Sequence, residues 1–128
     1  KLTEIWGMES RLYYKDLYVD TITTTGAINK SIKPWAAKTT TYTAVAGDRL
    51  LVDTSGGAFT ITLPASPSAG DEVRFLDVTA SFDTNNLTIG RNSQKINGNA
   101  ADLTVATESA GFSLVYYNST YGWRYTEA

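Results

Sequence analysis

Residues 46–78, AGDRLLVDTSGGAFTITLPASPSAGDEVRFLDV, carry the pattern on which the fold turns. Three strand-like runs lie within them: Arg49 to Asp53, Ala58 to Leu63 and Glu72 to Val78. In the middle run Phe59, Ile61 and Leu63 alternate with Thr60 and Thr62, the period-2 signature of a strand with one buried face. Ser55-Gly56-Gly57 offers the positive-φ conformations of a tight hairpin connection. Pro64 to Gly70 continues neither strand nor helix, because its prolines lack a backbone donor and its glycine is permissive. These signals predict a three-strand antiparallel meander onto which the rest of the chain is layered.

Working outward, Thr39 to Ala46 reads as a Thr-rich strand that opens the main body. Downstream, Asn86 to Gly90 points Leu87 and Ile89 inward, Ile96 follows a turn at Arg91-Asn92-Ser93, and Leu103 with Val105 marks another strand. Phe112 to Tyr117 and Tyr121 to Thr126, joined at Asn118-Ser119-Thr120, form a closing hairpin in which Tyr121, Trp123 and Tyr125 share a face. About eight or nine short strands, with turn signals roughly every 8 to 12 residues, describe an all-β antiparallel sandwich or jelly-roll-like domain.

The 128 residues suffice for one domain that buries about two thirds of its unfolded surface without covalent staples. No cysteine is present, which removes disulfides and thiolate zinc sites. The formal net charge of −2 argues against a nucleic-acid partner, which would need a basic stripe. No run reaches about 18 consecutive apolar residues, so membrane insertion is not expected. The start, Lys1-Leu2-Thr3, has neither an initiator Met nor an apolar signal core, as expected of a processed or partial chain.

Upstream of the body, residues 1–11 read equally as a turn of helix or an extended arm. Leu12 to Ile32 is rich in β-branched and aromatic residues, with Leu17 and Val19 alternating against Asp16, Tyr18 and Asp20. Such a run has no neighbouring hairpin partner, so its backbone groups and apolar row need cover. That cover is either the body of the same chain or other copies, and Leu12, Leu17, Val19, Ile22 and Ile28 are the candidate subunit-interface residues. Lys33 to Lys38 reads as a linker, Pro34 holding Lys33 extended. The expected division is an arm and extended strand over 1–38 and a β-sandwich over 39–128.

The chain contains no histidine, which excludes Ser-His-Asp and Cys-His catalysis and histidine-ligated metals. Paired carboxylates could act on a glycosidic bond, with Asp48, Asp53, Asp71, Glu72 and Asp77 as candidates. Asp48 and Asp71 follow glycines at turns, where Asp caps backbone donors, and adjacent Asp71 and Glu72 would face opposite sides of a strand. Asp83-Thr84-Asn85-Asn86 has oxygen ligands but neither the glycine nor the bidentate Glu of a calcium loop. Gly56-Gly57 leads into a strand rather than a phosphate-binding helix. Asn86-Leu87-Thr88 and Asn118-Ser119-Thr120 match the glycosylation acceptor pattern, with no accompanying sign of secretion. Neither catalysis nor a cofactor is expected. The closing hairpin gathers Tyr116, Tyr117, Tyr121, Trp123 and Tyr125, whose rings favour core packing or an interface. Tyr117, Tyr121 and Trp123 are the candidate surface contacts should the hairpin serve instead as a carbohydrate platform.

Several fragments, in order, resemble a β domain of tail-fibre and related virion proteins of tailed bacteriophages. They are Gly47-Asp48, Val52-Asp53-Thr54, Thr60-Ile61-Thr62-Leu63-Pro64, Gly70-Asp71, Ile96-Asn97-Gly98, and Leu114-Val115-Tyr116 with Trp123. Residues 16–20 and 25–28 are similar to the extended strands that wind together in trimeric phage fibres. The resemblance implies a homotrimeric, non-enzymatic virion component, a tail-fibre or fibre-adaptor module held to other virion proteins through its N-terminal arm. Contact with a host surface glycan would be a further role. A capsid decoration protein and a carbohydrate-binding module are the alternatives.

Overall fold

The computed structural model describes residues 32–127, and these contain strands, bridges, turns and no helix. Nine strands appear among them. In chain order they are β1 (Ala36–Lys38), β2 (Tyr42–Thr43), β3 (Arg49–Val52), β4 (Phe59–Thr62) and β5 (Glu72–Asp77). They continue as β6 (Leu87–Gly90), β7 (Leu103–Val105), β8 (Gly111–Asn118) and β9 (Gly122–Glu127). A five-stranded sheet has the order β9-β8-β5-β3-β1, and a four-stranded sheet has the order β2-β4-β6-β7.

The expected all-β sandwich is present, but the antiparallel meander over residues 46–78 is not. β3 and β5 are parallel neighbours, Leu50 beside Phe75 and Val52 beside Asp77, while β4 lies in the other sheet. The Ser55-Gly56-Gly57 turn, closed by the Gly57 amide on Thr54 O at 2.9 Å, carries the chain across to that other sheet instead of reversing it. The stretch 64–70 then brings it back. A flat meander would set Leu50, Val52, Ile61 and Val73 on one face with nothing above them. Alternating the strands between two sheets turns those rows toward each other in one core.

The result is a short two-sheet winding. β1, β3 and β5 stack in parallel in one sheet, and β2, β4 and β6 stack in parallel in the other. Antiparallel strands appear only at the far end, where β7 pairs with β6, β8 with β5, and β9 with β8. Parallel neighbours need a crossover between them, and here each crossover contains a strand of the opposite sheet.

Burial follows the period of two. In β5, Val73, Phe75 and Asp77 are buried while Glu72, Arg74 and Leu76 are half-buried. Ile61, Leu63, Leu87, Ile89, Leu114 and Trp123 lose all exposure, each burial being worth roughly 1.5–3 kcal/mol. Phe75 and Phe112 stack with centroids 5.1 Å apart, and Tyr116 meets Trp123 edge-on at 5.4 Å. The outer face of the four-stranded sheet carries threonines: Thr60, Thr88 and Thr104 stand opposite one another on β4, β6 and β7.

Residues 36–38, expected within a linker, form the edge strand β1 instead, Ala37 pairing with Leu51 of β3. Ala-Ala-Lys has no strand signal of its own. The backbone ladder offered by β3 recruits it.

Candidate interaction surface

The carboxylates are engaged in holding turns. Asp48 Oδ2 accepts the Val45 amide at 2.9 Å and the Tyr42 hydroxyl at 2.8 Å. That hydroxyl bond, followed by partial burial and the carboxylate charge, raises the Tyr42 pKa above its ordinary value. Asp71 Oδ2 accepts the Ser68 amide at 2.8 Å, the cap expected of an Asp at this turn. Asp53 Oδ1 accepts the hydroxyl and the amide of Ser55, at 2.6 and 2.9 Å, with Thr79 Oγ1 at 3.3 Å. The Ser55 bonds, the hydroxyl first, hold its carboxyl below the usual range.

Asp77 is the buried member of the set, 4% exposed. Burial alone would push its pKa up. The amides of Phe82, Ser81 and Ser109, at 3.0, 3.1 and 2.9 Å, outweigh that and lower it. One carboxylate thereby ties the end of β5 to the loop after it and to the turn before β8. Sequence reading placed Asp77 among the acids but not this role, which depends on a contact with Ser109, far along the chain.

Glu72 lies on the outer row of β5, opposite Val115. In the 83–86 loop the Asn85 side chain donates to Thr54 O at 2.9 Å, and Asp83 accepts from the hydroxyl of Thr84 at 3.4 Å. No group of three or more His, Cys, Asp or Glu side chains among the described residues could hold a metal ion. Asp48, Asp53, Asp71 and Asp77 serve as turn and loop connectors, and two further surfaces are aromatic and basic.

At the tip of the closing hairpin Tyr117 and Tyr121 stack at 6.1 Å, 61% and 51% exposed. Asn118 Oδ1 shapes the tip by accepting the amides of Thr120 and Tyr121, each at 3.0 Å. Trp123 does not join them. The register shift between Gly122 and Trp123 turns its ring inward against Tyr116, where it is fully buried, so it is a core residue and not a surface contact. The Tyr116 hydroxyl donates to Gln94 Oε1 at 2.9 Å, and Tyr125 packs at 5.3 Å on Phe112 at the sheet margin.

The outer face of the five-stranded sheet carries a second surface, for which the sequence held a signal in Trp35 and the alternating Arg49 and Arg74. The Arg49 guanidinium lies over the Trp35 ring at 4.6 Å, and Arg49 stands opposite Arg74 in the parallel register. The Arg74 Nε is buried without a hydrogen-bond partner. Half-buried Leu51, Leu76 and Val115 adjoin this basic pair. The Lys38 ammonium sits 3.7 Å over the Tyr42 ring. The candidate interface residues Leu12, Leu17, Val19, Ile22 and Ile28 lie outside the described residues.

The described residues form a wound all-β body whose turn acids are engaged and which presents aromatic and basic patches. Residues 8–122 match the model described as "Bacteriophage T4 gp9/10-like protein, N-terminal", and the chain belongs to that family. It is a structural protein of a tailed phage, and a component of the virion. No curated protein matches the chain.

Proposed function

We propose that this chain is a non-enzymatic module of a phage tail fibre or fibre adaptor, working as a homotrimer. The segment that precedes β1 attaches it to other virion proteins, and the sandwich is the rigid body of the module. The observation that carries the reading is the family match over residues 8–122, which includes the strand-like run before the sandwich. Its role is mechanical. Asp48, Asp53, Asp71 and Asp77 are committed to loop connections, and the alternating apolar row of Leu17 and Val19 gains cover when copies associate. Sedimentation equilibrium at micromolar concentration should return three times the 13.9 kDa chain mass. A stable folded monomer would overturn the trimer. Labelling intact particles should place the protein on the tail, and a location on the head would favour a decoration role.

Contact with the host surface is a second role, favoured by the exposed Tyr117–Tyr121 pair. Two stacked rings at a hairpin tip present the flat apolar area on which a sugar ring packs. Glycan-array binding that disappears in Tyr117→Ala and Tyr121→Ala, with circular dichroism unchanged, is the expected result. Binding that survives both substitutions would remove the hairpin tip from this role.

A further inference from the structure

The two margins of the five-stranded sheet differ. At β9 the margin is occupied: the Trp123 amide donates to Lys95 O at 2.8 Å, the Asn97 amide to Trp123 O at 2.7 Å, and the Tyr125 amide to Asn97 Oδ1 at 3.1 Å. At β1 no further strand follows among the described residues. The core row that runs Phe112, Phe75, Leu50 ends there on Ala36, a core-facing position that is nonetheless exposed. A buried row that stops at an exposed methyl group on an open strand is an unfinished edge.

The described chain does not finish it. Residues 32–35 run into β1 without placing a side chain in the core: Ile32 is 69% exposed and Trp35 36%, the latter turned to the outer face beneath Arg49. The sequence immediately upstream has the alternation that the edge requires. Leu17 and Val19 would extend the row beyond Ala36, which leaves Asp16, Tyr18 and Asp20 on the outer side. That side is the one bearing Trp35 and Arg49, so an acidic row on the added strand is complementary to it in charge.

We propose that the open edge of β1 is the seat of a strand from a neighbouring copy, supplied by residues 16–22 of that copy. Each sandwich then lends its arm to the next, and three such exchanges close a ring. This rests on the trimeric reading above and adds to it a defined contact between arm and sheet.

The chain has no cysteine, so engineered disulfides report the contact without background. Ala36→Cys is combined with Leu17→Cys in one variant and with Val19→Cys in another. Facing residues on paired strands have α-carbons about 4.5–5.5 Å apart, inside the roughly 4.4–6.8 Å span that a disulfide bridges. On oxidation, non-reducing denaturing gels should show covalent dimers and trimers for at least one pair. Disulfides confined to single chains would overturn the exchange in favour of the chain's own arm. No disulfide in either variant, with a trimer in sedimentation, would overturn the contact and leave the trimer standing. A monomeric unmodified protein would end both. Should the cysteine variants misfold, hydrogen exchange on the unmodified protein serves instead. The β1 amides that point away from β3 should be protected at micromolar concentration and exchange freely on dilution below trimer dissociation. Free exchange at both concentrations would overturn the contact.

Discussion

The α-carbon of Gly122 packs directly against the backbone of Lys95, so closely that a β-carbon would overlap the carbonyl. Gly122 also has φ +73, and it precedes the bulge that turns Trp123 into the core. Both facts exclude an L side chain, since the backbone it would strike cannot swing aside. Gly122→Ala should therefore cost about 4 kcal/mol or more in urea unfolding. Gly56→Ala is the matched control, with open space around its β-carbon and no positive φ. It should stay within about 0.5 kcal/mol. Equal effects at the two glycines would refute this account of the bulge.

Asp77 makes stability depend on acid. Its folded pKa lies below the unfolded value, so the stabilisation is fully present above the unfolded pKa, about 4 for Asp. It is lost as pH falls through the lower, folded value. Asp77→Ala leaves the amides of Ser81, Phe82 and Ser109 without their acceptor and should cost about 3 kcal/mol at neutral pH. The variant should also lose part of the acid dependence of unfolding below about pH 4. An unchanged acid profile would show that other groups carry it.

Tyr42 gives the opposite sign. Its folded pKa is raised, so the contribution is complete below the unfolded value of about 10 and disappears as pH climbs through the folded one. In an ultraviolet titration Tyr42 should ionise late, and Asp48→Asn should bring its ionisation earlier, first by weakening the hydrogen bond its hydroxyl donates and then by removing the carboxylate charge. The same substitution weakens the acceptor for the Val45 amide, at a cost of about 1 kcal/mol near neutrality. If Asp48→Asn left the Tyr42 titration unmoved, the hydroxyl–carboxylate bond would not be the cause.

What the sequence showed and what it hid divide along a physical line. Alternation tells which face a side chain occupies, and Ile61, Leu63, Leu87, Ile89 and Ile96 lie inward as the pattern predicts. The terminal hairpin was legible for the same reason, and so were the turn caps at Asp48 and Asp71. Alternation does not name a strand's neighbour. Whether the 53–58 turn folds back within a sheet or crosses to the other depends on which rows need covering, a property of the whole core. That is why the pattern predicts a meander where β3 and β5 are parallel neighbours. β1 was hidden because Ala-Ala-Lys pairs through backbone alone. The Arg49–Trp35 contact and the Arg49–Arg74 pairing were hidden with it, since the first follows from β1 lying on β3 and the second from the parallel β3–β5 register. The Asp77–Ser109 bond was out of reach for a similar reason, being fixed by tertiary placement and not by local spacing.

The aromatic hairpin offers the sharpest separation of core from surface. Trp123 and Tyr121 are two residues apart and would share a face in a regular strand, but Tyr121 lies in the turn before β9, and Gly122 with its positive φ and the register shift separate the two. Trp123 is fully buried against Tyr116, and its removal opens a cavity among side chains that cannot all close in. Trp123→Ala should destabilise by about 3–5 kcal/mol. Tyr117 and Tyr121 contact chiefly each other at the solvent face, so alanine at either should cost only about 0.2–1 kcal/mol. Urea unfolding of the three variants reads this directly. Comparable losses at Tyr121 and Trp123 would mean that the hairpin continues without a bulge and that Tyr121 is as deeply held as its neighbour. A Tyr121→Ala variant that remains fully stable but loses adhesion would instead leave the pair free for a role outside the fold.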